Sequence, residues 1–177
     1  MNEYVEFPKR KLALVLVDIQ RKFIETTDGL KVSMMGKVDT VNQAIDLFRS
    51  TGNPVIYIMF DGLGSCIREV EDGDELVPGL REPRDDEPVL HKTAMNAFNG
   101  TGLESILKDM GCDGIVLAGL VAHMCVAASY YGAHDVDIMA SMLDGGIAAT
   151  DEENVEHVLS ICNKVTLDDI RGNVHFI

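Results

Sequence analysis

Three residues of different chemistry stand just beyond three apolar runs of this chain. Asp18 follows Leu12 to Val17, Lys92 follows Val89 to Leu90, and Cys125 comes one tight turn after Ile115 to Ala118. A carboxylate can move protons, an ammonium can hold negative charge, and a thiolate attacks carbonyl carbon. The stretch Gly119 to Cys125 is the most pointed of the three. The apolar run ends at Gly119, and Cys125, Ala128 and Gly132 then fall at helical spacing, which places Cys125 in the first turn of a helix. Unpaired NH groups and the helix dipole favour a negative sulfur there, so the spacing predicts a thiol that ionises below the usual ~8.5. Each residue also has a plainer reading. A strand-end Asp caps a turn, a lysine is solvated, and a cysteine followed by Val126, Ala127 and Ala128 packs. For Cys125 alone, the local sequence favours packing.

What would bring the three together is a sheet. Strand-like runs occur at Leu12 to Val17, Val55 to Phe60, Val89 to Leu90, Ile115 to Ala118, Val136 to Ala140 and Val165 to Leu167. Amphipathic helical spacing lies between them, at Val38 to Phe48, Leu103 to Met110 and Val155 to Cys162. Near-continuous apolar strands alternating with helices imply a mostly parallel sheet covered on both faces, a Rossmann-like three-layer α/β/α sandwich with right-handed crossovers. Sites in such sheets lie beyond the carboxyl ends of the strands, which is where Asp18, Lys92 and Cys125 stand. If those strands are neighbours, the three groups form a nucleophile, an acid/base and a charge-stabilising set.

Composition narrows the partners. With 177 residues, 46% of them apolar and 25% charged, the chain suits one domain over 1–177 with a full core. The formal charge of −14 repels a phosphate backbone, which argues against nucleic acid. The opening MNEYVEFPKRK lacks the apolar centre of a secretory leader, and no apolar run approaches the ~20 residues of a membrane span, so a cytoplasmic protein without a membrane partner is expected. Cys66, Cys112, Cys125 and Cys162 are widely spaced and read as free thiols. The acidic, Gly- and Pro-containing stretch from Glu69 to Glu87 predicts a solvated loop, with a lid or a subunit contact as the other reading.

In these motifs the chain resembles the isochorismatase-like cysteine hydrolases. Asp18, Gln20 and Phe23 in DIQRKF match the first motif of that family, Lys92 and Phe98 in KTAMNAF the second, and GLVAHMCV the nucleophile motif. The resemblance continues through FNGTGLESIL and the segments after Cys125. It implies a six-stranded, mainly parallel sheet and a catalytic triad of Asp18, Lys92 and Cys125. It further implies a cis peptide between Leu120 and Val121 that aims the backbone NH groups of Val121 and Cys125 at an oxyanion. The activity it implies is cleavage of an amide, imide or carbamoyl C–N bond of a small molecule, with Phe23 and Met124 nearest the substrate. Homo-oligomers, often with a neighbour's loop closing the pocket, are also implied.

The chain departs from its relatives at Ala122, where many have Thr, and at Lys22, where many have an acidic residue. Met95 and Asn96 stand where Tyr and Ser are common. Nicotinamidases of this superfamily hold a divalent metal through an aspartate and several histidines after the second strand. Here Asp61 is followed by Gly62, Leu63, Gly64 and Ser65, and no histidine intervenes before His91. Neither a metal nor another cofactor is therefore expected. His123, His134, His157 and His175 are dispersed and read as packed or solvated, with His91 or His123 close enough in sequence to line the pocket. Two other functional classes stay open: an enol-ether hydrolase of the isochorismatase type, and a non-catalytic or regulatory member of the fold.

Overall fold

A computed structural model describes residues 11–62 and 69–173. The readings made on residues 1–10, on Leu63, Gly64 and Ser65, and on Cys66 and His175 lie outside them.

The β-branched and aliphatic runs become six strands among the described residues: β1 (Leu12–Val17), β2 (Val55–Phe60), β3 (Val89–Lys92), β4 (Gly114–Leu120), β5 (Met139–Ala148) and β6 (Lys164–Val165). Their order is β3-β2-β1-β4-β5-β6, and every pairing is parallel. β1 and β4 are central and almost wholly buried, as strands sealed on both faces must be. Around the sheet pack α1 (Arg21–Ile24), α2 (Asp28–Met35), α3 (Val38–Ser50), α4 (Leu103–Asp109), α5 (Ala127–His134), α6 (Glu152–Ile161) and α7 (Leu167–Asn173).

Side chains alternate along a strand, so β1 feeds two cores. Ala13, Val15 and Val17 face Leu103, Leu107, Val126 and Val158 on one side of the sheet. Leu14 and Leu16 face Val41, Ile45, Phe48 and Ile170 on the other. This is the expected α/β/α sandwich, with the sheet all-parallel rather than mostly so.

The last two strands depart furthest from the sequence reading. Val136 is not in β5: its NH and those of Asp137 and Ile138 bond back to carbonyls of Ala133 and His134, closing the end of α5 with Asp137 at φ 60°. β5 instead runs on to Ala148 through a bulge at Asp144, Gly145 and Gly146, polar and glycine residues that hide a strand from an apolar pattern. Leu167 is the first residue of α7 rather than the end of a strand. Thr166 and Asp169 cap that helix reciprocally: the Asp169 NH donates to Thr166 Oγ1 at 3.1 Å, and the Thr166 NH donates to Asp169 Oδ2 at 2.8 Å.

The acidic stretch also differs from a free excursion. Leu76 bridges Gln20 in antiparallel fashion, while Val77 and Leu80 are buried in the second core. Arg49 clamps Glu87 with two bonds of 2.8 and 2.7 Å, and Asn42 Nδ2 donates to the Gly79 carbonyl. Its carboxylates other than that of Glu87 face water, and its apolar residues and the Arg49–Glu87 clamp anchor it. Cys112, Cys125 and Cys162 are free and buried. Among the described residues no helix is long and apolar enough to cross a membrane.

Candidate functional site

β1 and β4 leave the sheet side by side. Val17 pairs with Gly119, whose φ is 123° and whose added Cβ would lie 2.1 Å from the Val17 carbonyl oxygen, so no other residue fits there. β1 delivers Asp18 in the left-handed region (φ 54°), its NH donating to the Ile58 carbonyl at 3.0 Å. β4 delivers the nucleophile turn. The Leu120–Val121 peptide is cis. Ala122–Val126 then forms a π-helical turn, in which the NH of Val126 reaches five residues back to Val121, before α5 begins. Cys125 lies inside this wider turn, 7% exposed.

β3 supplies Lys92, and the three groups meet. Lys92 Nζ stands 2.8 Å from Asp18 Oδ2, with both side chains fully buried. The ammonium also donates to the carbonyls of Ala94 (2.9 Å) and Met95 (3.2 Å) and sits 4.8 Å from the centre of the Phe60 ring. Asp18 is held by charge more than by aligned donors, since neither carboxylate oxygen has a partner in hydrogen-bonding geometry. Burial raises the Asp18 pKa above the usual carboxylate range, against the opposing pull of Lys92 and of the neighbouring Cys125 thiol.

Cys125 departs from the low pKa expected of a helix start. Burial, and then the negative charge of Asp18, push it up to about 12 in spite of Lys92. The dipole of one turn is outweighed by desolvation. At rest the sulfur is a thiol beside a carboxylate.

A second buried lysine also lies near Phe60. Lys22, 2% exposed, donates to the Phe60 carbonyl (2.6 Å), the Gly62 carbonyl (3.2 Å) and Asp74 Oδ1 (2.5 Å). Its ammonium is 5.9 Å from the Phe60 centre and equally far from that of Phe23. Gln20 works beside it, accepting from the Phe60 NH at 2.8 Å and donating to the Asp74 carbonyl at 3.4 Å. Together they fasten the acidic stretch to the end of β2.

Of the other residues expected at the site, Phe23 is half-buried and packs edge-on against Phe60, with centroids 5.9 Å apart. Val121 is half-buried and touches both cores. Met124 is 46% exposed on the nucleophile turn. His91 is exposed and pairs with Asp61 at 2.7 Å, while His123, His134 and His157 are exposed. Asp61 and His91 are two donors, short of the three or more protein ligands typical of a divalent ion, and no larger ligand cluster occurs among the described residues. The sequence reading passed over Ser129, which is fully buried and bonded to the backbone of Cys125. Its spacing of four from the thiol was the available signal.

The isochorismatase domain family model matches residues 12–167. An uncharacterised isochorismatase family protein of Bacillus subtilis is 28% identical over 123 residues, covering 68% of this chain and 65% of that protein, just under two thirds of its length. A probable inactive nicotinamidase of Arabidopsis thaliana is 27% identical over 178 residues, covering 87% of this chain and 89% of that one. The crystal structure of N-carbamoylsarcosine amidase from Thermoplasma acidophilum superposes with a TM-score of 0.73 at 28% identity, over 88% of this chain and 95% of the other.

Proposed function

The chain belongs to the isochorismatase family, and from that premise we propose that it is a cysteine hydrolase of small-molecule C–N bonds, amide, imide or carbamoyl. The observation that carries this reading is the fully buried Asp18–Lys92 pair set against the Cys125 thiol. Burying two charges is a poor way to stabilise a fold. It is a good way to set a base of raised pKa against a thiol in a dry pocket.

Asp18 takes the proton of Cys125 as the sulfur attacks the carbonyl carbon, so the high pKa of the isolated thiol is met by a base already in contact with it. Lys92 holds Asp18 ionised between proton transfers. The backbone NH groups of Val121 and Cys125 receive the oxyanion, one such donor being worth about 3 kcal/mol in acyl-transfer sites. Asp18 then gives the proton to the leaving nitrogen. A water activated by Asp18 releases the acid from the thioester. Phe23 and Met124 contact the substrate, and no metal or other cofactor takes part. The solved amidase relative supports C–N cleavage as the chemistry.

The protein acts in the cytoplasm as a homo-oligomer, with residues 69–87 near a subunit contact. Light scattering that gives a monomer at working concentration overturns the oligomer. Hydrolysis of a panel of small amides, carbamoyl compounds and imides, read as ammonia release from primary amides and carbamoyl groups and as formation of the amic acid from cyclic imides, with Cys125→Ala as the blank, tests the activity. Turnover by the parent and none by the variant is expected, and equal rates overturn the reading. A non-catalytic role is the second reading, favoured by the resemblance to the probable inactive nicotinamidase of Arabidopsis thaliana. It predicts no turnover and no acylation of Cys125 by any activated ester.

A further inference from the structure

We infer that Ser129 is a positioning residue that locks the loop cradling Lys92 onto the backbone of the nucleophile, an inference that rests on the cysteine hydrolase reading. Its hydroxyl lies at the start of α5 and is fully buried. Ser129 Oγ donates to the Cys125 carbonyl at 2.7 Å, the usual bond of a helical serine to the carbonyl four residues back. That bond fixes the direction of its proton and turns its lone pairs outward. One of them accepts the Ala97 NH at 2.9 Å, from a residue 32 positions away in sequence.

Ala97 belongs to the turn that follows β3, and that turn is the cradle of Lys92. Its carbonyls at Ala94 and Met95 accept from the ammonium. The same turn meets α5 a second time, one helical turn on. A Cβ added to Gly132 would lie 2.3 Å from Asn96 Oδ1, and that oxygen accepts the Phe98 NH. Ser129 and Gly132 are three apart and so share a helix face. The turn therefore docks on α5 by one hydrogen bond and one close approach that needs glycine. Asn96 is the residue that fills the notch. Through Ser129 the support of the ammonium and the carbonyl of the nucleophile share one oxygen atom. Without it the turn loses its polar tie to α5, and Lys92 its fixed distance to Asp18.

The test uses p-nitrophenyl acetate, an activated acyl donor that needs no knowledge of the natural substrate. The Cys125 sulfur forms a bond to the acetyl carbon, the C–O bond breaks, p-nitrophenolate leaves, and the thiol proton passes to Asp18. The parent should show a burst of one p-nitrophenolate per chain that Cys125→Ala lacks. Ser129→Ala should slow the burst tenfold or more and move the acid limb of its pH profile upward by about half a unit, because a loosened Lys92 holds the Asp18 charge less well. Ser129→Thr, which keeps the hydroxyl, should recover most of the rate. Val158→Ala, a core truncation in α6, supplies a variant of lowered melting temperature whose acid limb should not move. A Ser129→Ala burst within twofold of the parent overturns the assignment, as does a slowed burst with an unmoved limb. A parent without a burst at Cys125 overturns the hydrolase reading and this inference together.

Discussion

Two lysines are buried near one phenylalanine ring, and they differ in what they pair with. Lys92 is paired with a carboxylate as buried as itself, and the carbonyls of Ala94 and Met95 complete its coordination. Lys22 is paired with Asp74, whose side chain is 84% exposed, and two backbone carbonyls complete its coordination. The first pair cannot be opened without stranding a charge. The second can lose Asp74 to water and keep its ammonium hydrogen-bonded. A buried lysine is therefore not one kind of feature. The exposure of its partner separates a site from a fastening, and Lys22 fastens the acidic stretch to the end of β2.

That contrast can be broken or sharpened by measurement. The largest effect belongs to the thiol the first pair serves: Cys125→Ala should lower ammonia release by three orders of magnitude or more, on the order of other lost nucleophiles, with an unchanged melting temperature. Next comes Lys92→Met, which leaves Asp18 buried without its cation. A loss of about 3–5 kcal/mol in denaturant unfolding is expected, together with loss of activity. Asp18→Asn should abolish the acidic limb of the rate profile. The sign follows from the raised Asp18 pKa: the base works only when ionised, so the parent's rate climbs with pH, through a midpoint above the usual carboxylate range. A midpoint below pH 3.8 would contradict the desolvated setting of Asp18.

At the second lysine, Lys22→Met removes bonds but strands no buried carboxylate, and about 1–2 kcal/mol is expected. Asp74→Ala should cost less than about 1 kcal/mol, as exposed ion pairs do, and leave turnover within twofold. If Lys22→Met proved as damaging to stability and rate as Lys92→Met, the two lysines would be equivalents and the distinction would fall.

The meeting of Asp18, Lys92 and Cys125 was legible because they stand at or just beyond strand ends, where a parallel sheet gathers residues distant in sequence. The cores were legible from the continuous apolar run of Leu12 to Val17 and the helical period of Val38 to Phe48. β5 was not, since Asp144, Gly145 and Gly146 interrupt its apolar pattern at a bulge. Leu167 misled because an apolar residue after a short strand looks the same whether the strand continues or Thr166 caps a helix. The ionisation of Cys125 was misread for a deeper reason. Helix-start statistics describe a local dipole, whereas burial and the charge of Asp18 come from other parts of the chain. Ser129 went unnoticed on similar grounds, because its second partner, Ala97, is brought to it only by the fold.

The contact of Gly119 with Val17 has a meaning for how such a protein can change over time. Because backbone meets backbone there, the spacing between the strand end that carries Asp18 and the turn that carries Cys125 is set without reference to any side chain. Mutational drift in either core can swap aliphatic residues freely, so long as that glycine stays, and the reactive geometry is inherited intact while the pocket walls diversify.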